Sequence, residues 1–210
     1  MNLEEMRNEV MDIIQDRSYD PAAVTSYINL ALNETAGVID IPEFKRVFTV
    51  ATVTDAAYIN LGENISSFGG RVRRVKYDSA NLSIYPSLEA LMDDYEDLEE
   101  EGDIEAVALE GRLLWYAKTP EAAVNLLILC YTNPEPLNES KREVEWMPPH
   151  LHRKVIVNGA AKEIWKKIEE EDSQQPMFHR YRKDYEDGLT ELRSWVARNR
   201  QSTTYSYWRY

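Results

Sequence analysis

The sequence has little cysteine and no long hydrophobic run. Cys130 is the only cysteine, so no disulfide can form within the chain, and nothing indicates an oxidising compartment. The first residues contain neither a basic leader nor an apolar stretch long enough to span a membrane. We therefore expect a protein that is made in the cytoplasm and has no membrane partner.

Basic residues are scarce over most of the chain. There are 24 Lys and Arg against 37 Asp and Glu, which gives a formal net charge of -13. Three of the cations lie in the last thirteen residues, so the chain before them carries 21 basic and 37 acidic side chains. Such a surface repels phosphate, which disfavours tight binding of DNA or RNA. The charge does not exclude a protein wall along which DNA passes without being bound.

Motifs for catalysis or metal binding are also missing. The sequence has no phosphate-binding glycine loop, no strand-turn-helix serine motif and no recognisable order of nucleophile, base and acid. His150 and His152 stand two apart at a predicted helix start, where their side chains diverge, so we interpret them as an exposed pair rather than as metal ligands. Cys130 lies in an apolar run and is interpreted as a small buried hydrophobe. We predict no enzyme activity, cofactor or metal.

The region from residue 89 to residue 105 contains ten carboxylates. Part of it resembles the start of a calcium loop, but Ala108 stands where the closing bidentate acid is required. We interpret the region as a solvated, mobile loop.

Hydrophobic periodicity predicts helices at both ends of the sequence. Apolar residues at helical spacing predict a first helix that ends near Asp16, and Asp20 and Pro21 indicate the start of a second. A third helix begins near Pro149. In the fourth, the core stripe steps by three or four residues through Met177, Tyr181, Tyr185, Leu189, Leu192 and Val196.

β-branched and aromatic residues predict strands between these helices, over residues 44–54, 57–61, 72–77, 104–109, 112–116 and 124–131. We expect an α+β fold that is mainly α. The helix pairs 1–40 and 138–197 form a small bundle, residues 41–137 form an inserted β-rich subdomain, and residues 198–210 form an extended C-terminal arm.

Two segments are candidate interaction sites. Residues 124–131 are almost continuously apolar, which is typical of a strand covered on both faces or of a subunit contact, and Leu126, Ile128 and Cys130 are the contact candidates. The arm contains no acidic side chain. Its side chains are of the types that dominate interface energetics, so we expect it to bind another molecule, through Arg198, Arg200, Tyr205, Tyr207, Trp208, Arg209 and Tyr210. The alternative is a frayed chain end.

The order of these elements and several local motifs resemble the head-to-tail adaptor, or head-completion, proteins of tailed bacteriophages. The motifs, with their first residues, are YINLALNE from Tyr27, YINLG from Tyr58, VRRVKY from Val72, LWYAKTPEAA from Leu114, LILCYTNPEPL from Leu127, WMPPHL from Trp146, NGAAKEIW from Asn158 and YEDGLTEL from Tyr185. Together they cover nearly the whole chain.

The resemblance implies a structural virion protein without chemistry of its own. Copies would form a ring, commonly of twelve, that docks on the portal protein, extends the DNA channel and carries the next neck or tail protein. The C-terminal arm would reach the portal, and DNA would pass through the channel without tight binding. The alternatives are another virion ring component, such as a tail terminator or tail tube, or a small cell-wall hydrolase.

Overall fold

The computed structural model describes the backbone of residues 1–54 and 56–202, and the side chains as far as Asn199. The chain is 44% helical and 23% strand, so the predicted α+β class with helix predominating is confirmed. It divides into two compact units. Residues 1–43 and the chain from Pro134 onward form a helical unit, and Phe44–Asn133 form a β unit.

The helical unit combines both ends of the sequence. Its elements are α1 (Leu3–Ile14), α2 (Pro21–Val38), the single turn α5 (Pro149–Leu151), a π-helical segment (His152–Val157), α6 (Asn158–Ile168) and α7 (Pro176–Ser202). Asn2 and Glu5 form a capping box at the start of α1, and the Asp20 side chain accepts a hydrogen bond from the Ala22 amide at 2.9 Å to cap α2.

The helices of this unit pack as a bundle, in which α1 and α2 contact α6 and α6 contacts α7. Gly159 lies at the closest approach, where a β-carbon would come within 2.8 Å of Ala31 on α2 and 3.2 Å of Tyr185 on α7. The predicted stripe on α7 is buried at Tyr185, Leu189, Leu192 and Val196. N-terminal and C-terminal helices therefore share one hydrophobic core.

The prediction of two exposed histidines is wrong for His152. Only 3% of His152 is exposed, whereas His150 is exposed as expected. His152 opens the π-helical segment. Side chains two residues apart on a helix lie on opposite sides, so when His150 faces solvent, His152 faces the core.

The β unit contains two four-stranded sheets. Its strands are β1 (Lys45–Ala51), β2 (Tyr58–Asn60), β3 (Phe68–Tyr77), β4 (Ala80–Asn81), β5 (Ser83–Tyr85), β6 (Ala106–Glu110), β7 (Leu113–Tyr116) and β8 (Asn125–Thr132). The first sheet has the order β1-β8-β3-β4 and the second β2-β7-β6-β5. Gly111, at a φ of 61°, supplies the left-handed backbone for the predicted β6–β7 hairpin turn.

Three layers build the β unit. Side chains from both sheets meet in one core, to which Val75 and Ile128 contribute from the first sheet and Val107 and Leu114 from the second. The short helix α3 (Leu61–Asn64) adds Leu61 to that core. A second cluster lies on the opposite side of the second sheet, where α4 (Leu88–Asp94) packs on β6.

The region predicted as a mobile acidic loop is therefore partly a helix. α4 is capped by Ser87, whose hydroxyl accepts a hydrogen bond from the Ala90 amide at 3.2 Å. Leu91 of α4 is fully buried against the sheet, and Tyr95 and Leu98 pack against the same cluster. These apolar side chains hold the first part of the acidic region on the sheet.

Candidate interaction surfaces

The predicted subunit-contact residues on β8 are wrong. Leu126, Ile128 and Cys130 are fully buried in the core between the two sheets, so no second molecule can reach them. Successive side chains of a strand point to opposite faces, and these three share the inner one. Burial raises the pKa of the Cys130 thiol to about 11, which agrees with the interpretation of this residue as an inert hydrophobe.

The opposite side of β8 belongs to a surface that we call the cationic face, the outer face of the first sheet. The four strands of that sheet contain no Asp or Glu. They carry six cations, of which Lys45, Arg71, Arg74 and Lys76 lie on this outer side by register. Arg73 lies at a register shift of β3, and Arg46 lies opposite Cys130 on the inner side. Register places Arg74 opposite Leu129 and Lys76 opposite Leu127 on this outer side.

The cationic face also carries an apolar patch on β1 and β8. Val47 is 60% exposed and Leu127 is 46% exposed, and β1–β8 register places Val47 beside Leu129. At the end of the face, the guanidinium carbons of Arg71 and Arg73 lie 5.0 Å and 5.8 Å from the centre of the Tyr131 ring. An apolar patch bordered by charged side chains is typical of a protein–protein interface.

The other side of the β unit is acidic. We call residues 88–101 the acidic layer, comprising α4 and the segment that follows it on the outer side of the second sheet. It has no Lys or Arg and eight carboxylates, at Glu89, Asp93, Asp94, Glu96, Asp97, Glu99, Glu100 and Glu101. Met92 lies among them and is 51% exposed.

Local hydrogen bonds hold this acidic region in place. The Tyr85 hydroxyl donates to Asp94 at 2.6 Å, and that bond raises the pKa of Tyr85 to about 12. Just beyond the layer, the Lys118 ammonium pairs with Glu105 at 2.6 Å, which lowers the pKa of that carboxyl. The carboxylates therefore stand on a fixed surface.

A buried ion pair joins three helices of the helical unit. The Lys162 ammonium on α6 lies 2.8 Å from a Glu34 carboxylate oxygen on α2 and 4.6 Å from the centre of the Tyr185 ring on α7. Burial opposes the charge on Lys162, but hydrogen bonds to Glu34 and Glu163 outweigh it and raise the pKa of the ammonium. This network ties α2, α6 and α7 together.

The boundary predicted for the C-terminal arm, at residue 198, is wrong. α7 continues to Ser202, so Arg198 and Arg200 belong to this helix. Tyr205, Tyr207, Trp208, Arg209 and Tyr210 lie outside the described residues. The helical stripe ends at Val196, and neither arginine extends it, which is why the pattern alone placed the boundary too early.

Within the described part of the chain, no group of three or more His, Cys, Asp or Glu residues is arranged to hold a metal ion. Nor does any helix there have the length and apolarity to cross a bilayer. A cleft between α1 and residues 139–142 is lined in part by charge pairs, in which Glu139 binds Arg7 at 2.8 Å and Arg142 at 2.9 Å.

Comparison with known proteins gives one informative match. No curated protein matches the sequence. A family model described as SU10 adaptor protein matches residues 1–208, nearly the whole chain. The resemblance to phage adaptors is thereby confirmed, together with the structural, virion-associated role that such adaptors have. The chain belongs to the SU10 adaptor protein family, a family of bacteriophage head-to-tail adaptors.

Proposed function

We propose that copies of this chain form a ring at the head-to-tail junction, which docks on the portal, extends the DNA channel and carries the next neck or tail protein. The observation that carries the proposal is the family match over residues 1–208. A ring of twelve is the expected stoichiometry. The helical unit supplies a rigid body for such a ring, because a continuous core and the Lys162–Glu34 pair tie its helices together.

The portal contact is assigned to the segment that follows α7. Tyr205, Tyr207, Trp208 and Tyr210 lie there with Arg209 and without any acidic side chain. Aromatic side chains and arginine supply most of the binding energy at protein interfaces. The arginines would pair with carboxylates of the portal.

The DNA channel is assigned an acidic lining. The net charge of -13 supports it, because a negative wall lets DNA pass without adhesion. The cationic face would hold phosphates if it lined the channel. The proposal therefore requires this face to be covered or to point away from the DNA.

Truncation of the chain after Ser202 tests the portal contact. We expect the truncated protein to fold but to lose attachment to portal-bearing heads that lack the adaptor. Replacing Tyr207 and Trp208 by Ala should weaken attachment by about 4 kcal/mol, the size of two hot spots. Replacing Thr203 and Thr204 by Ala is the matched control and should leave attachment unchanged. Undiminished attachment of the truncated chain would contradict the role of this segment.

A further inference from the structure

We propose that the cationic face of one copy binds the acidic layer of a neighbouring copy. The inference rests on the proposed ring and names the surfaces that would form its subunit contact. It starts from the layered β unit, in which the cationic face is the outer side of the first sheet and the acidic layer covers the outer side of the second. The two charges therefore lie on opposite sides of one folded unit.

A protein partner fits the cationic face better than a nucleic acid does. Val47 on the edge strand β1 and Leu127 on β8 are exposed there, beside the outward cations Arg74 and Lys76 of β3. Phosphates would leave these side chains in water, whereas a protein partner with its own apolar side chain would bury them. The partner must combine an exposed apolar side chain with acidic neighbours.

The acidic layer has that composition. Met92 is half exposed on α4, with Glu89 one turn before it and Asp93 beside it. The eight carboxylates of the layer are matched by no Lys or Arg within it. Residues 198–210 of the same chain cannot take its place on the cationic face, because they contain no acidic side chain.

Charge also determines the symmetry of the contact. Two cationic faces would repel each other, and so would two acidic layers. Only a head-to-tail arrangement pairs each surface with its complement, and such heterologous contacts continue from copy to copy until the ring closes. The contact also covers the cationic face, as the proposed DNA channel requires.

Charge-reversal variants test the contact in the full chain. The face variant carries Arg74→Glu and Lys76→Glu, and the layer variant carries Asp93→Lys and Glu96→Lys. We expect each to weaken self-association by about a hundredfold or more in sedimentation velocity, because like charges then meet across the contact. Combining all four substitutions in one chain should restore association. Lys166→Glu with Lys167→Glu makes the same charge change on exposed α6 positions and should have no effect.

Cysteine cross-linking tests the same contact without changing its charge. Leu127→Cys and Met92→Cys together should give a ladder of oligomers with a short bismaleimide, while either substitution alone should give none. The buried Cys130 leaves the background low. The reaction is run on concentrated purified protein and on protein bound to portal-bearing heads. No ladder in either setting, or a ladder with one cysteine alone, would overturn the inference.

The outcomes separate this inference from the proposed function. Uptake of the wild-type chain by heads without a ladder would leave the adaptor role intact and overturn the contact. A ladder in purified protein without uptake by heads would support the contact and contradict the adaptor role. A nucleic-acid ligand would give a different pattern. The wild-type chain would bind duplex DNA, the face variant would lose that binding, and the variant with all four substitutions would not regain self-association. That pattern would overturn the inference.

Discussion

At the residue scale, two buried ionisable side chains hold the helical unit together. Lys162 lies between Glu34 and Tyr185, and His152 donates from its Nε2 to the Met147 carbonyl at 3.0 Å. Both side chains are buried and have partners within the helical unit. Both side chains therefore contribute to the stability of the helical unit, and unfolding experiments on variants measure each contribution.

Replacing Lys162 by Met should destabilise the helical unit by about 2 kcal/mol, because Glu34 and Glu163 lose a charged hydrogen-bond partner that is only 9% exposed. Urea unfolding followed by far-ultraviolet circular dichroism measures the change. Lys166→Met removes an exposed charge from the same helix and is the control, with an expected change below about 0.5 kcal/mol. Equal losses in the two variants would contradict the structural role of Lys162.

His152 should make the protein less stable as the pH falls below about 6.5. Burial lowers the pKa of His152 from its ordinary value of 6.5, so the unfolded chain takes up a proton in a range where the native chain does not. Stability is therefore lost progressively as the pH falls from 6.5 toward the lower native pKa, and this loss stops once the native imidazole is also protonated.

Comparing His152→Gln with His150→Gln isolates this effect. In His152→Gln, the difference in unfolding free energy between pH 7.5 and pH 5.5 should be smaller than in the wild type. In His150→Gln the difference should be the same as in the wild type, because the His150 side chain is exposed. An unchanged pH dependence in His152→Gln would contradict the assignment.

At the scale of elements, hydrophobic periodicity predicted the regular helices and strands, whereas composition led to a wrong prediction for α4. The α7 stripe and the β6–β7 turn followed from spacing and from Gly111. α4 was missed because carboxylates dominate its region, although the Ser87 cap signal and the spacing of Leu88, Leu91 and Tyr95 could have revealed it. A solvated composition does not exclude a helix whose few apolar side chains share one face.

The interaction surfaces were less predictable than the elements. The apolar run in β8 indicated burial on both sides, but only neighbouring strands decide which side faces the core. The cations of β3 become part of a larger surface only because β1 and β8 place Lys45 and Leu127 on the same side of the sheet. Such juxtapositions arise from non-local pairing, which a linear pattern does not contain.

A pair of adjacent leucines tests the two faces of β8. Leu126→Ala should cost about 3 kcal/mol, because it leaves a cavity in the core, whereas Leu127→Ala should cost less than about 1 kcal/mol. Urea unfolding of both variants provides the comparison. Similar costs for the two substitutions would contradict the assignment of Leu126 to the core and of Leu127 to the cationic face.

At the scale of the whole molecule, charge is distributed by surface rather than evenly. The chain is strongly acidic, yet one sheet carries six cations and no carboxylate. A monomer gains nothing from opposite charges on its two outer sides, but a chain of copies gains a directional contact. Family membership and this distribution agree with a structural protein that works as an assembly.

Electron cryo-microscopy of intact particles that contain the chain tests the central proposal most directly. The account predicts that copies of the helical and β units form a closed ring next to the portal, with the DNA channel at its centre. Single copies without mutual contact, or a position away from the head-to-tail junction, would contradict it.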